Sequence, residues 1–460
     1  MDGNLKNGLA LLGAGLVAAE YLRRKVSGPE APRYEPWEKR PYREFEKKVL
    51  IVGGGFGGYT AARTLCRRLG DREDVGVMVI SRDNFFTFWP MLAGVISGDV
   101  ATRNVAQPLR RSLISHGASF RRAELESVDP ERRVVSASGV EIPYEHLILA
   151  LGGEPSYFGI PGVWENCISM TGIETAERIR NRVIERYEEV ILARGDVPEG
   201  KLTFVVIGGG ATGVETAAEL HGLVHDVLPP DYPNIAPDSV RIVLVDRNEE
   251  VLKELDPSLR RAARKKLADM RVEIISNVKA DEVAADRAIL GDGREIMSEN
   301  VIWTAGARAS ETVDSLGLPA DDRKGLTVDA RMRVSGHENI WGIGDCAANV
   351  DSGGNAVPPN AQAAQQGGEA VAKNVLAALD GHPLSEFEYR SVGQLVELGS
   401  RFAVNDVMGV KFSGLLASLF WRATYLFKLK SPQSRFRIAA DWMLDLVYDP
   451  SVTQIRGRGS

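Results

Sequence analysis

Cysteine is scarce. Three residues in 460, Cys66, Cys167 and Cys346, cannot build a disulfide framework, and none has the CxxC spacing of a zinc or cluster site. A reducing compartment fits that usage. Histidine is sparse too: of His116, His146, His221, His225, His337 and His382 only His221 and His225 share an i, i+4 spacing. No His-Glu-x-x-His pattern is present, so no metal site is expected. Positive charge is not in excess, with 56 Lys and Arg against 62 Asp and Glu, which argues against a nucleic-acid partner. Long apolar runs are missing as well. The uncharged stretch Asn7 to Ala19 falls short of the ~20 residues that span a bilayer. It reads as a short surface or oligomerisation helix, or as a membrane-seated one stopped by Arg23-Arg24-Lys25. Residues 26 to 47, with Pro29, Pro32, Pro36 and Pro41, read as a linker.

Glycine, by contrast, is plentiful and bunched. The apolar run Lys48 to Val52 leads into Gly53-Gly54-Gly55-Phe56-Gly57-Gly58 and then the helical YTAARTLCRRL. This is strand, GxGxxG, helix. The first glycine permits the tight turn and the second lets backbone approach a pyrophosphate. The third allows close packing, and the helix N-terminus supplies N–H groups to the phosphate charge. The same grammar recurs as Leu202 to Ile207, Gly208-Gly209-Gly210-Ala211-Thr212-Gly213 and VETAAELHGLV. Two dinucleotide sites are therefore expected, with Phe56 and Thr212 inside the turns.

The strand after the second turn ends at Asp246, whose carboxylate suits a ribose 2′-OH and repels a 2′-phosphate; this favours NADH, although Arg247 follows it. The strand after the first turn ends at Ser81-Arg82, a weaker ribose partner. Further along, Asn339 to Cys346 is a short apolar strand closing on Gly344-Asp345. An aspartate there can take a ribityl hydroxyl, so FAD is the expected occupant of the first site and NADH of the second.

The C-terminal region runs against the acidic whole. Residues 401 to 460 carry nine Lys and Arg against four Asp and Glu. Phe412, Leu415, Leu416, Leu419, Phe420, Ala423 and Phe427 follow helical spacing, flanked by Lys428, Lys430, Arg435 and Arg437. Such a stripe suits a lipid surface, the protein's own core, or a second copy in a homodimer.

These residues resemble the two-dinucleotide-domain flavoproteins, and more narrowly the type II NADH:quinone oxidoreductases. The resemblance runs from about Lys48 to Asp445. It includes Asn84, Phe88, Pro90, Leu92 and Pro108-Leu109-Arg110, the segment YFGIPG, the block GGGATGVETAAEL and the strand ENVIWTAGARAS with Gly306 closing the NADH pocket. It places Glu215 near nicotinamide and flavin. The segment PPNAQAAQQG resembles the family's Ala-Gln-x-Ala-x-Gln signature, which places Gln362 and Gln366 beside the flavin where quinone enters. GLLASLFWRATYLFKL and Asp441-Trp442 resemble its membrane-attachment region.

The implied fold is α/β: two Rossmann-like domains, the FAD domain split by an inserted NADH domain, plus a C-terminal helical and β segment. Expected boundaries are 1–47 for an N-terminal extension, 48–200 and 326–400 for the FAD domain, 201–325 for the NADH domain and 401–460 for the membrane-associating region. The implied activity is hydride transfer from NADH to FAD and then two electrons to a membrane quinone in a respiratory chain, without proton pumping. A peripheral or monotopic place on the cytoplasmic side of a membrane goes with it. Rival readings are an NAD(P)H reductase of another acceptor, a sulfide:quinone oxidoreductase and a non-catalytic FAD-binding docking protein. The sulfide chemistry needs paired thiols, and no cysteine follows Cys346.

Overall fold

Apolar strands that run straight into glycine turns build two parallel sheets. The computed structural model describes residues 41–193, 197–399, 401–429, 431–444 and 452–454. The chain divides into two units, Met1–Glu44 and Phe45–Ser460. Among the described residues of the first, Tyr42–Glu44 form a turn of 3-10 helix. The segment Asn7 to Ala19 and most of the linker lie outside the described residues.

The first sheet contains β1 (Lys47–Val52), β2 (Val75–Ser81), β3 (Ser119–Arg122) and β4 (His146–Leu149), with α1 (Phe56–Leu69) between β1 and β2. Its order is Ile340–Gly342, β4, β1, β2, β3, every pair parallel. Strands covered on both faces explain the unbroken burial of Val49 to Val52. The strand Ile340–Gly342 returns from far along the chain, so the second sheet is inserted within the first.

That second sheet holds β5 (Cys167–Ser169), β6 (Thr203–Ile207), β7 (Arg241–Val245), β8 (Glu273–Ile275) and β9 (Asn300–Trp303), in the order β5, β9, β6, β7, β8. All its pairs are parallel. β5 joins it from ahead of the boundary expected at 201: Cys167 pairs with Val301 and Ser169 with Trp303. The helix α2 (Ala211–Gly222) follows β6, and α3 (Ala361–Leu379) packs beside α1.

An antiparallel meander, β10 (Gly393–Glu397), β11 (Ala403–Val407) and β12 (Val410–Gly414), leads to α4 (Leu415–Lys428) and α5 (Pro432–Leu444). α4 turns Leu416 (76% exposed) and Phe427 (72% exposed) outward and buries Ala417, Ser418 and Trp421. No described helix is long and apolar enough to cross a membrane.

Candidate functional site

The two glycine turns are tight for the same steric reason. Gly53 has φ +112°, and a Cβ there would sit 2.1 Å from the Ala150 carbonyl oxygen; a Cβ on Gly58 would meet Gly53 O at 2.0 Å. At the second turn Gly208 has φ +120°, and a Cβ on Gly213 would lie 1.7 Å from Gly208 O. Around Gly55 and Gly210 there is nothing within 4 Å of such an atom. Both residues cap their helices without a side-chain hydrogen bond. The first N–H groups of α1 and α2 therefore face open space, which is where a phosphate binds.

Around the first turn, Ser81 Oγ lies beside Gly54. Phe56 stacks edge-on against Phe86 at 4.7 Å. Arg82, 73% exposed, pairs with its neighbour Asp83 and turns away from the turn. Asp345 is half-buried, bonded to none of the described side chains, and its carboxyl is held above the ordinary range by burial. A desolvated carboxylate without a donor is a site that lacks its partner. With the bare helix terminus, it makes the residues present fit FAD: pyrophosphate at Gly53–Gly58 and a ribityl hydroxyl at Asp345.

Around the second turn, Asp246 is buried, with both oxygens engaged. Oδ2 accepts the Gly209 N–H, and Oδ1 accepts from Asn248 N at 2.6 Å and Nδ2 at 2.7 Å. The carboxylate thus braces the turn from the end of β7, and Oδ2, which accepts one hydrogen bond, keeps a lone pair. Thr304 Oγ1 donates to the Ile207 and Gly208 carbonyls at 2.9 and 3.1 Å. Gly306 lies against Phe158, whose ring has the Arg247 guanidinium 5.8 Å above it.

A cleft of about 710 Å³ connects this turn to the aromatic residues of the first domain. Gly208–Ala211 and Asp246 line one end, Phe56, Phe88 and Pro90 line the other, and Gln362 and Tyr425 lie on its wall. Glu215 stands on α2 beside Tyr425, which lines the cleft. Its Oε1 accepts the Glu397 backbone N–H at 3.4 Å, and burial pushes its carboxyl up to about 8.

Both amides of the glutamine pair bond to backbone. Gln362 Nε2 donates to Gly393 O at 2.6 Å while its Oε1 accepts from Val392 N at 3.2 Å. Gln366 does the same with Arg390, at 2.8 and 3.1 Å. The i, i+4 spacing does set two amides on one face of α3, yet that face meets backbone, and backbone pairs with amides as readily as a ligand does. Gln362 still touches the cleft; Gln366 does not line it. Gln365 and Gln394, which sequence reading missed, line it with no partner among the described residues. Also missed were Asp99, Glu219, Glu397 and Arg422, a buried cluster behind Glu215. The one signal for them was Glu219, one helical turn from Glu215.

His221 and His225 stack at 4.3 Å between centroids, and burial drives His221 down to about 4, so the pair is neutral. Burial raises the Cys66 and Cys167 thiols to about 12 and that of Cys346 to about 11. All three remain thiols at neutral pH, without the nucleophilic thiolate that sulfide chemistry requires.

Residues 47–368 match the model of the pyridine nucleotide-disulphide oxidoreductase family. A type II NADH:quinone oxidoreductase of Haemophilus influenzae is 30% identical over 78% of this chain and 87% of its own. The mitochondrial internal alternative NAD(P)H-ubiquinone oxidoreductase A1 of Arabidopsis thaliana is 29% identical over 94% of this chain and 90% of its own. In fold, the chain superposes on the structure of NDH2 from Plasmodium falciparum in complex with NADH with a TM-score of 0.80. That match covers 89% of this chain and all of the other, at 20% identity.

Proposed function

The chain belongs to the type II NADH:quinone oxidoreductases of the pyridine nucleotide-disulphide oxidoreductase family, and from that premise we propose how its residues divide the work. The enzyme oxidises NADH and reduces a quinone, with FAD supplying the hydride acceptor and two-electron store between them. The observation that carries the residue assignments is the single cleft, which joins the second glycine turn to the aromatic wall of the first domain.

Gly53, Gly55, Gly57 and Gly58, with the uncapped start of α1, hold the FAD pyrophosphate; Asp345 binds the ribityl chain and Ser81 the adenosine ribose. Gly208, Gly210, Thr212 and Gly213 receive the NADH pyrophosphate, and Asp246, already oriented by Gly209 and Asn248, takes the ribose 2′-OH. Gly306 lets the chain pass close beneath Phe158. Arg82 is the candidate with the least support, since its side chain pairs with Asp83 in solvent.

Glu215 faces the meeting point of the two substrates and carries a proton at neutral pH, because burial disfavours its charged form. Gln362 and Gln366 act by pinning residues 390–393 to α3, which fixes the wall from which Gln394 and Leu395 enter the cleft. The quinone approaches along Phe88, Pro90 and Tyr425.

The outward apolar face of α4, with Lys428, Arg435 and Arg437 beside it, rests on the cytoplasmic surface of a membrane as a peripheral anchor. A second copy covering the same face is the competing occupant. Anaerobic titration tests the central reading: NADH must bleach the flavin band and a short-chain quinone must restore it. Failure of either half sinks it. Liposome co-sedimentation beside gel filtration decides between lipid and homodimer.

A further inference from the structure

The face of α4 that meets the protein carries polar groups beside the buried, apolar Ala417 and Trp421. Ser418, Arg422 and Tyr425 follow an i, i+4, i+7 spacing and point inward. Ser418 Oγ donates to Glu397 Oε1 at 3.0 Å, and Arg422 Nε donates to the same oxygen at 3.3 Å. Arg422 Nη2 reaches Asp99 at 3.0 Å. From α5, Trp442 Nε1 donates to the other Asp99 oxygen at 3.3 Å, and its ring lies 4.6 Å from the guanidinium. Ser97 Oγ donates to Glu219, one turn along α2 from Glu215. Glu397 closes the chain by donating its backbone N–H to Glu215.

Four carboxyl groups from three parts of the fold are thus linked with one guanidinium, which bonds Asp99 and Glu397 directly, with side-chain exposures of 7% for Glu397, 16% for Arg422 and 19% for Asp99. Full ionisation would leave three negative charges uncompensated in a desolvated volume, and buried like charges do not all ionise. Protons therefore stay on the glutamates. Burial raises Glu215 to about 8, Glu219 to about 7 and Glu397 well above its usual range. Among neighbours, Glu219 raises Glu215; Asp99 and Asp226 raise Glu219; Asp99 and Glu219 raise Glu397. Arg422 opposes by lowering Glu219 and Glu397, as do the hydrogen bonds from the Glu397 N–H to Glu215, from Ser97 to Glu219 and from Ser418 to Glu397. Tyr425 stands beside Glu215 and is itself held neutral by burial.

Reduction of a quinone by NADH takes one proton from the medium. The hydride brings both electrons and one hydrogen, NAD+ leaves, and the second quinol hydrogen arrives as H+. We propose that Arg422 is a positioning residue: by bridging Asp99 and Glu397 it holds the Glu397 backbone against Glu215, and it keeps Glu215, Glu219 and Glu397 as a shared proton store that delivers that second hydrogen. Asp99, the most exposed of the bridge, is where solvent refills the store. The proposal rests on the reading of Glu215 and the quinone wall given above.

Stopped-flow measurement separates the halves: flavin reduction by NADH, and reoxidation by a short-chain quinone, each from pH 5.5 to about 9. In the wild type the reoxidation rate falls as pH rises past about 7 to 8, where the store empties. Arg422→Gln moves that midpoint up by roughly one unit, because the cation favouring ionisation is gone. Glu219→Gln moves it down by roughly half a unit, because a like charge beside Glu215 is gone. Arg422→Lys restores the wild-type midpoint. Opposite shifts are what a merely structural role would not produce, and unmoved midpoints with only lowered melting temperatures overturn the proposal. Should Arg422→Gln fail to fold, infrared spectroscopy of the native enzyme decides. A C=O band of protonated carboxylic acids at pH 7, weakened in Glu219→Gln, supports the store; its absence overturns it. A wild-type flavin that NADH bleaches and quinone does not restore would instead sink the reading on which the proposal rests.

Discussion

The two glycine turns share a backbone and differ in what surrounds them. Beside the first, β2 ends in Ser81, and the nearest carboxylate, Asp345, arrives from the far side of the inserted sheet and stays without a partner. Beside the second, β7 ends in Asp246, which is already braced by Gly209 and Asn248 and faces an open cleft. On the proposed assignment, the contrast is that between a resident cofactor and an exchanging substrate. A site that keeps its ligand can afford an unpaired carboxylate, because the ligand completes it. A site that empties at each turnover needs its polar groups satisfied in both states.

Substitutions can break this comparison, the most drastic first. Gly58→Val sets side-chain atoms against the Gly53 carbonyl, so FAD retention should drop more than tenfold, read as the flavin-to-protein absorbance ratio and accompanied by a lower melting temperature. Gly213→Ala makes the same clash at the other turn. It should leave the flavin content near that of the wild type and cost on the order of 100-fold in kcat/KM for NADH. If both variants lose flavin equally, the two turns are not functionally distinct.

Glu215→Gln sharpens the picture at the junction. The folded carboxyl is raised to about 8, so the proton is present below that pH and lost above it. Wild-type quinone reduction should therefore decline above pH 8, and the variant should lose that limb along with roughly 10- to 100-fold of the rate. Asp246→Asn removes the charge that repels a 2′-phosphate, and the NADH to NADPH preference in kcat/KM should fall by about tenfold. The mildest change is Leu416→Ser with Phe427→Ser. It should weaken liposome binding by about tenfold while turnover with a water-soluble quinone persists.

Much of this site is visible in the primary structure, and the reason is local. Within each GxGxxG turn the last glycine meets the first, and the positive φ of Gly53 and Gly208 calls for glycine, while Ala150 and Thr304 add crowding from distant segments. The apolar stripe of α4 is legible for the same reason. What the stripe faces is not, because helical spacing reports two faces without saying which one meets the protein. Here Ser418 and Arg422 turn inward beside the apolar Ala417 and Trp421, bonded to Asp99 and Glu397 from distant segments. The glutamine pair shows the same limit: Gln362 and Gln366 do share a face, but residues 390–393 occupy it.

The sequence by itself determined two phosphate turns, the acidic end of β7, the family and a basic, apolar C-terminus, since each is written in residues close together along the chain. Only the tertiary structure decided that β5 enters the second sheet, that Gln365 rather than Gln366 faces the cleft, and that Arg422 bridges Asp99 and Glu397 behind Glu215 and Glu219. Those outcomes depend on which distant segments share a desolvated volume, where the electrostatic cost of each charge is set by neighbours that no local spacing announces.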